Sequence, residues 1–209
     1  MRYDEEFQPA QDVADYEIAS VGAEGGDMSL NPSSPHTTCR AFDIRIAHDG
    51  QWFHEDAPIL RKDMVCLFAS IMTRKPDGSY WLVSPGEAGR IEVEDAPFLA
   101  VEMFVQGQGK DQKITFRTNV DELVNLDRLH PLRVVEAPET GEPMPYVMVR
   151  DAEAFTPEGK PLGLEARLAR AVFYQLVDLA TQEVINGVPQ YGVWSDGIFY
   201  TLESPVPSA

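Results

Sequence analysis

The stretch "AFDIRIAHDGQWFH", Ala41 to His54, alternates Phe42, Ile44 and Ile46 with polar neighbours, turns at Asp49-Gly50 and resumes through Trp52. Period-two alternation puts every second side chain on one face of a strand. An Asp-Gly pair supplies the positive φ that a tight type I′ turn requires. The stretch therefore predicts an antiparallel hairpin with a two-residue turn, in which His48 faces Gln51 and His54 faces Arg45. The same word returns as "PDGSYW" (Pro76 to Trp81) and "SDGIFY" (Ser195 to Tyr200). Three copies of Asp-Gly followed by aromatics mark repeated hairpins rather than repeated chemistry.

Working outward, "ILRKDMVCLFASIMTRK" carries Met64, Leu67, Phe68, Ile71 and Met72 at helical spacing, with Lys62, Ala69, Ser70 and Thr73 on the opposite side. This predicts a helix over Arg61 to Arg74, stopped by Pro76-Asp77-Gly78. "SYWLVS", "GRIEVEDAPFLAVEMFV", "KITFRTNV", "DELVNL", "LRVVE" and "PYVMVR" read as a β-rich series. A second helix is expected from Leu162 to Gln182, its apolar stripe made by Leu164, Leu168, Ala169, Val172, Phe173, Leu176 and Val177. "YGVWSDGIFYTLESPV" closes the chain as another hairpin. Both helices lead to an Asp-Gly-aromatic strand ending in Ser-Pro, so a duplicated helix-plus-hairpin unit is the expected building block. The expected class is α+β, organised as an arm over 1–36, an N-terminal domain over 37–97 and a C-terminal domain over 98–209.

The chain has 209 residues and a net charge of −17, of which residues 1–36 hold −7 through eight acids against Arg2. Such a charge opposes broad binding to nucleic-acid backbone or anionic lipid, which needs a concentrated positive field. No apolar run approaches the roughly 20 residues that span a bilayer, and "MRYDEEFQPA" is acidic where a leader would be basic. A cytoplasmic protein is expected. Cys39 and Cys66 lack metal or redox spacing and read as two unpaired thiols.

Chemical motifs are few. "VQGQGKD", Val105 to Asp111, resembles a phosphate loop only superficially: the first glycine position is Phe104, Asp111 replaces the Ser/Thr, and no helix pattern follows. It reads as a hairpin turn. His48 and His54 flank the first turn but do not converge, so no metal and no cofactor are expected. Glu92, Glu94 and Asp95 of "EVED" could suggest a paired acid and base, but Glu92 and Glu94 share one strand face and read as its solvated side. On the second helix Arg167, Arg170, Tyr174, Asp178 and Thr181 share one narrow sector, and guanidinium groups there could grip phosphate or carboxylate. Arg61 begins the first helix, Arg90 precedes "IEV" and Arg150 follows "PYVMV".

Taken in order, "FDIRIAHDGQWFHEDAPILRKDMVCLFASIM", "DGSYWLVSPGE", "RIEVEDAPFLAVEM", "ITFRTNV", "HPLRV", "PYVMVR" and "LEARLARAVFYQLVDLA" resemble the bacterial "domain of unknown function 1285" family from about Asn31 to the end. The resemblance implies two domains with a duplicated core. It also implies a C-terminal part like a pleckstrin-homology barrel, here capped by the long helix, and a nucleotide-like ligand at the domain interface with a signalling role. Two positions depart from the family pattern: Arg40 stands where glycine follows the cysteine, and Ala88 where lysine follows "P-x-E". If that lysine holds the anion in relatives, Ala88 removes it. The resulting expectation is a ligand-binding rather than catalytic protein, its anionic ligand held by Arg61, Arg90, Tyr146, Arg150, Arg167 and Arg170. The competing expectation is a protein-interaction module using the pleckstrin-homology-like surface, its acidic arm meeting a basic partner; an enzyme with an unrecognised site ranks behind both.

Overall fold

The first hairpin forms as β1 (Thr38–Ile46) and β2 (Trp52–His54), but its turn is not the two-residue type. In the computed structural model, which describes residues 38–150, 163–185 and 187–203, Gly50 alone of the Asp49-Gly50 pair has positive φ, 80°. The Ala47 N–H donates to Gln51 O and the Gly50 N–H to Ala47 O, each at 2.9 Å. This is a type I turn closed by a left-handed glycine, a three-residue loop over 48–50. The extra residue shifts the register, so Arg45 faces Phe53 and His54 faces Ile44. Asp77-Gly78 repeats the arrangement, with Lys75 N–H on Ser79 O and Gly78 N–H on Lys75 O. Only Asp196-Gly197 holds positive φ at both positions, 49° and 73°.

Two six-stranded sheets follow. The first combines β1 and β2 with β3 (Ala57–Pro58), β4 (Met72–Arg74), β5 (Tyr80–Ser84) and β6 (Glu87–Val93), in the order β3-β2-β1-β6-β5-β4. The second is built from β7 (Phe98–Gln106), β8 (Lys113–Thr118), β9 (Leu123–Asn125), β10 (Leu132–Glu136), β11 (Pro143–Arg150) and β12 (Leu164–Leu168), in the order β10-β11-β12-β7-β8-β9. Numbered one to six within each sheet, both read 4-5-6-1-2-3. In both, the sole parallel pair joins strand six to strand one, β6 to β1 and β12 to β7. The duplication is therefore a six-stranded sheet, not a helix-plus-hairpin unit. Helix α1 (Lys62–Ser70) lies between strands three and four of the first sheet, whereas α2 (Arg170–Asp178) follows strand six of the second. A third sheet, β13 (Thr181–Ile185), β14 (Val188–Ser195) and β15 (Ile198–Thr201), completes the described residues.

The architecture is mainly β with two short helices, and both helix expectations are too long. Met72, Thr73 and Arg74, read as the end of the first helix, pair instead with Leu82, Trp81 and Tyr80. The expected helix over 162–182 divides into β12, α2 and the start of β13, so no long helix caps a C-terminal barrel. Leu164, Ala166 and Leu168, exposed by 4%, 0% and 2%, alternate with Glu165 and Arg167. Their letters fit both periods, and pairing with β11 and β7 selects the strand. The loop "VQGQGKD" is a hairpin connection, as its letters predict: β7 and β8 pair through Gln106 and Lys113, with a 3-10 turn at Gly109–Asp111 between them.

One apolar core runs through the two large sheets, α2 and the third sheet; Ile46, Trp52, Phe98, Ile114, Phe116, Val147, Leu176 and Val193 are at most 1% exposed. Polar joints fix the layers. Asn119 donates from Nδ2 to Gly50 O at 3.1 Å and accepts from the Leu99 N–H. Gln112 donates to Trp194 O at 2.7 Å, and Ser195 Oγ accepts from the Ile114 N–H at 3.0 Å. Gln112 and Ser195 are buried and would be costly to leave unpaired.

Candidate functional site

Arg133, Tyr146 and Arg167 stand in one row across β10, β11 and β12, because Arg133 pairs with Tyr146 and Tyr146 with Arg167. Cross-strand partners point the same way, so the strand register alone collects the three side chains. Asp95, in the link between β6 and β7, completes the cluster. Its Oδ1 accepts from the Tyr146 hydroxyl at 2.6 Å and its Oδ2 from Arg167 Nη1 at 3.1 Å. Arg133 lies 4.6 Å from the Tyr146 ring centroid and grips Glu165 with two bonds, 3.0 and 2.8 Å. Burial, then the Asp95 hydrogen bond, pushes the Tyr146 hydroxyl well above the ordinary tyrosine range. It is therefore held as a neutral donor.

Arg167 is at once the end of this cluster and a wall of a cleft of about 570 Å³. His48 and Asp49 of the first turn, the segment Ala137 to Pro145 around the β10–β11 turn, and the start of α2 with Arg170, Phe173 and Tyr174 form the other walls. Arg170 Nε donates to the Tyr174 hydroxyl oxygen at 2.7 Å, which leaves the tyrosine O–H free to donate outward. The first turn is anchored where it meets the cleft: Glu94 accepts from the His48 N–H at 3.0 Å and from Arg45. Those bonds hold the Glu94 carboxyl below its usual range. Asp49 turns its Oδ1 to the Gln51 N–H at 3.0 Å, while Glu142 stands as the carboxylate that acts on Arg170 through space. Leu99, Met144, Pro145 and Phe173 supply apolar surface.

The six residues expected to converge do not all meet. Arg167 and Arg170 share the cleft, although Arg167 reaches it from a strand and not from the helix face that motivated it. Tyr146 stands behind them through Asp95. Arg150 is consumed elsewhere: its Nε and Nη2 bond Glu122 at 3.1 and 2.7 Å, and its Nη1 donates to Ala69 O at 2.7 Å. Arg61 and Arg90 line two other cavities. Ala88 is 7% exposed and does not line the cleft. Asp95 was readable as a letter but not as a hub, because its partners are 51 and 72 residues away. Among the described residues no group of three or more His, Cys, Asp or Glu side chains is placed to hold a metal ion. No helix among them is long and apolar enough to cross a membrane.

A mainly β chain with two equivalent six-stranded sheets and a cleft at their junction is thus defined. Residues 32–96 match the "Domain of unknown function (DUF1285), N-terminal domain" and residues 97–202 the "Protein of unknown function (DUF1285), C-terminal domain". The chain belongs to the DUF1285 family. It is similar to the crystal structure of a DUF1285 family protein from Silicibacter pomeroyi DSS-3, at 38% identity over 84% of this chain and 91% of that one, with a TM-score of 0.69. A DUF1285 family protein from Shewanella baltica OS155 is 24% identical over 66% of this chain and 91% of that one, with a TM-score of 0.47. No curated protein matches the chain.

Proposed function

We propose that this protein is a ligand-binding protein, with a signalling rather than catalytic role, whose cleft takes a small anionic, nucleotide-like molecule. The observation that carries this reading is the meeting of Arg167 and Arg170 on one concave surface with the outward-facing Tyr174 hydroxyl and an apolar floor. Guanidinium groups bind phosphate or carboxylate through paired N–H donors, and Tyr174 and Phe173 offer planar surface to a ring. A cavity of about 570 Å³ falls within the usual range for small-molecule sites. The β1–β2 turn belongs to the N-terminal family domain and the other walls to the C-terminal one, which favours a ligand that ties the two together. Arg61, Arg90 and Arg150 have no part in this site.

Thermal unfolding of the full chain with inorganic phosphate, nucleoside monophosphates and dicarboxylates tests the reading. A true ligand at 100 times its Kd adds about 2.7 kcal/mol of stability. The stabilisation is expected to vanish in Arg170→Ala and to survive in Arg61→Ala. An unmoved melting temperature across the panel, or a shift indifferent to Arg170, sinks the proposal.

A further inference from the structure

Helix α1 buries only part of its apolar stripe. Of the apolar residues at helical spacing, Phe68, Ile71 and Met72 pack on the core, yet Met64 and Leu67 are 38% and 60% exposed, and Leu60 just before the helix is 82% exposed. The one fully buried residue of the helix is Ala69, from the side opposite the stripe. Polar ties explain the orientation. Lys62 pairs with Asp121, Cys66 Sγ lies 3.6 Å from Val120 O, and Ala69 O accepts from Arg150. Those contacts fasten the Ala69 side to the second sheet and leave Met64 and Leu67 exposed.

Beside that stripe lies a groove of about 820 Å³, separate from the anion cleft, with Phe42, Ile44, Ile59, Phe68, Ile71 and Leu82 among its apolar walls. Phe68 is stacked on the buried Trp52 with ring centroids 6.3 Å apart, so the floor is firm. The rim is acidic. Asp43, Glu55 and Glu87 line the groove as exposed residues, and none has an ion-pair partner among the described residues. Arg61, at the helix start, is the one Lys or Arg among the lining residues.

We infer that this groove is a docking surface for a short segment of another protein that carries apolar anchors flanked by lysine or arginine. Apolar area removed from water supplies affinity, and a surround of unpaired carboxylates selects a basic partner. A second copy of this chain fits poorly, since a net charge of −17 makes the approach of two such rims repulsive.

The test titrates the full chain with a synthetic amphipathic peptide of leucine and lysine, and with the same pattern in leucine and glutamate, followed by calorimetry. The lysine peptide is expected to bind and the glutamate peptide not. Leu60→Asp and Met64→Asp, both at exposed positions, are expected to weaken binding about tenfold or more. Glu55→Gln combined with Glu87→Gln is expected to weaken it severalfold and to flatten its salt dependence. Circular dichroism confirms that each variant is folded. Absence of binding by the full chain, equal binding of both peptides, or equal binding by wild type and Met64→Asp overturns the inference. A dimer in sedimentation that Met64→Asp dissolves overturns it too, by giving the groove to a second copy.

Discussion

The two helices have the same length and opposite fates. α2 buries Val172 and Leu176, at 2% and 0% exposure, against β7 and β14. α1 buries only Ala69 and keeps Met64 and Leu67 in water. A helix whose stripe is absorbed by its own sheet becomes a fixed mount, and α2 accordingly holds Arg170 and Tyr174 at the cleft. α1, fastened through polar ties, packs Phe68 on Trp52 but keeps Met64 and Leu67 at the surface. Apolar periodicity declares that a stripe exists; it does not name what covers it.

The contrast is broken most directly by truncation. Leu176→Ala should cost about 2–5 kcal/mol in denaturant unfolding, since it empties a fully enclosed position. Leu67→Ala should stay within about 0.5 kcal/mol. If Leu67→Ala costs as much as Leu176→Ala, the two helices are equivalent after all. A smaller effect is expected at the cluster behind the cleft. Tyr146→Phe removes the hydroxyl that Asp95 accepts, and should cost about 1.5–3 kcal/mol because the acceptor is charged. An unchanged urea midpoint would mean that Asp95 is served as well by Arg167 alone.

The subtlest expectation concerns pH and separates the sheets from the exposed helix faces. Burial raises the hydroxyls of Tyr80 and Tyr146, and that of Tyr200 is pushed up to about 12. A raised value in the folded state means stability that is complete below the unfolded value near 10 and is lost as pH climbs through the folded values. Near-ultraviolet titration should therefore show a late-ionising set in the native protein that moves to about pH 10 on denaturation. Ionisation of all the tyrosines together near the ordinary value would remove the claim that these rings are shielded.

Much of the local structure was legible from the letters. β5, β8, β9, β10 and β11 lie where alternation placed them, and the Asp-Gly pairs are turns. The turn type at Asp49 was not legible, because a third loop residue costs nothing in composition yet moves every partner of β2 by one. Nor was the division of the chain around Arg167. Leu164, Ala166 and Leu168 satisfy a strand and a helix equally well, and only the vacancy between β11 and β7 settles the matter. The site followed the same rule: Arg167 and Arg170 were visible as charges, whereas Asp95 became a hub only once β11 and β12 stood side by side.

By itself the sequence determined which segments extend, where they reverse, and that the chain carries a net charge of −17, because those properties arise from composition and from neighbours within a few residues. Tertiary structure alone decided that the repeat is a sheet of order 4-5-6-1-2-3, that the arginines divide among separate cavities, and that Val172 and Leu176 of one helix are buried while Met64 and Leu67 of the other stay exposed. Each of those depends on pairing between residues tens of positions apart, where hydrogen-bond register and the competition for buried surface, not local propensity, set the outcome.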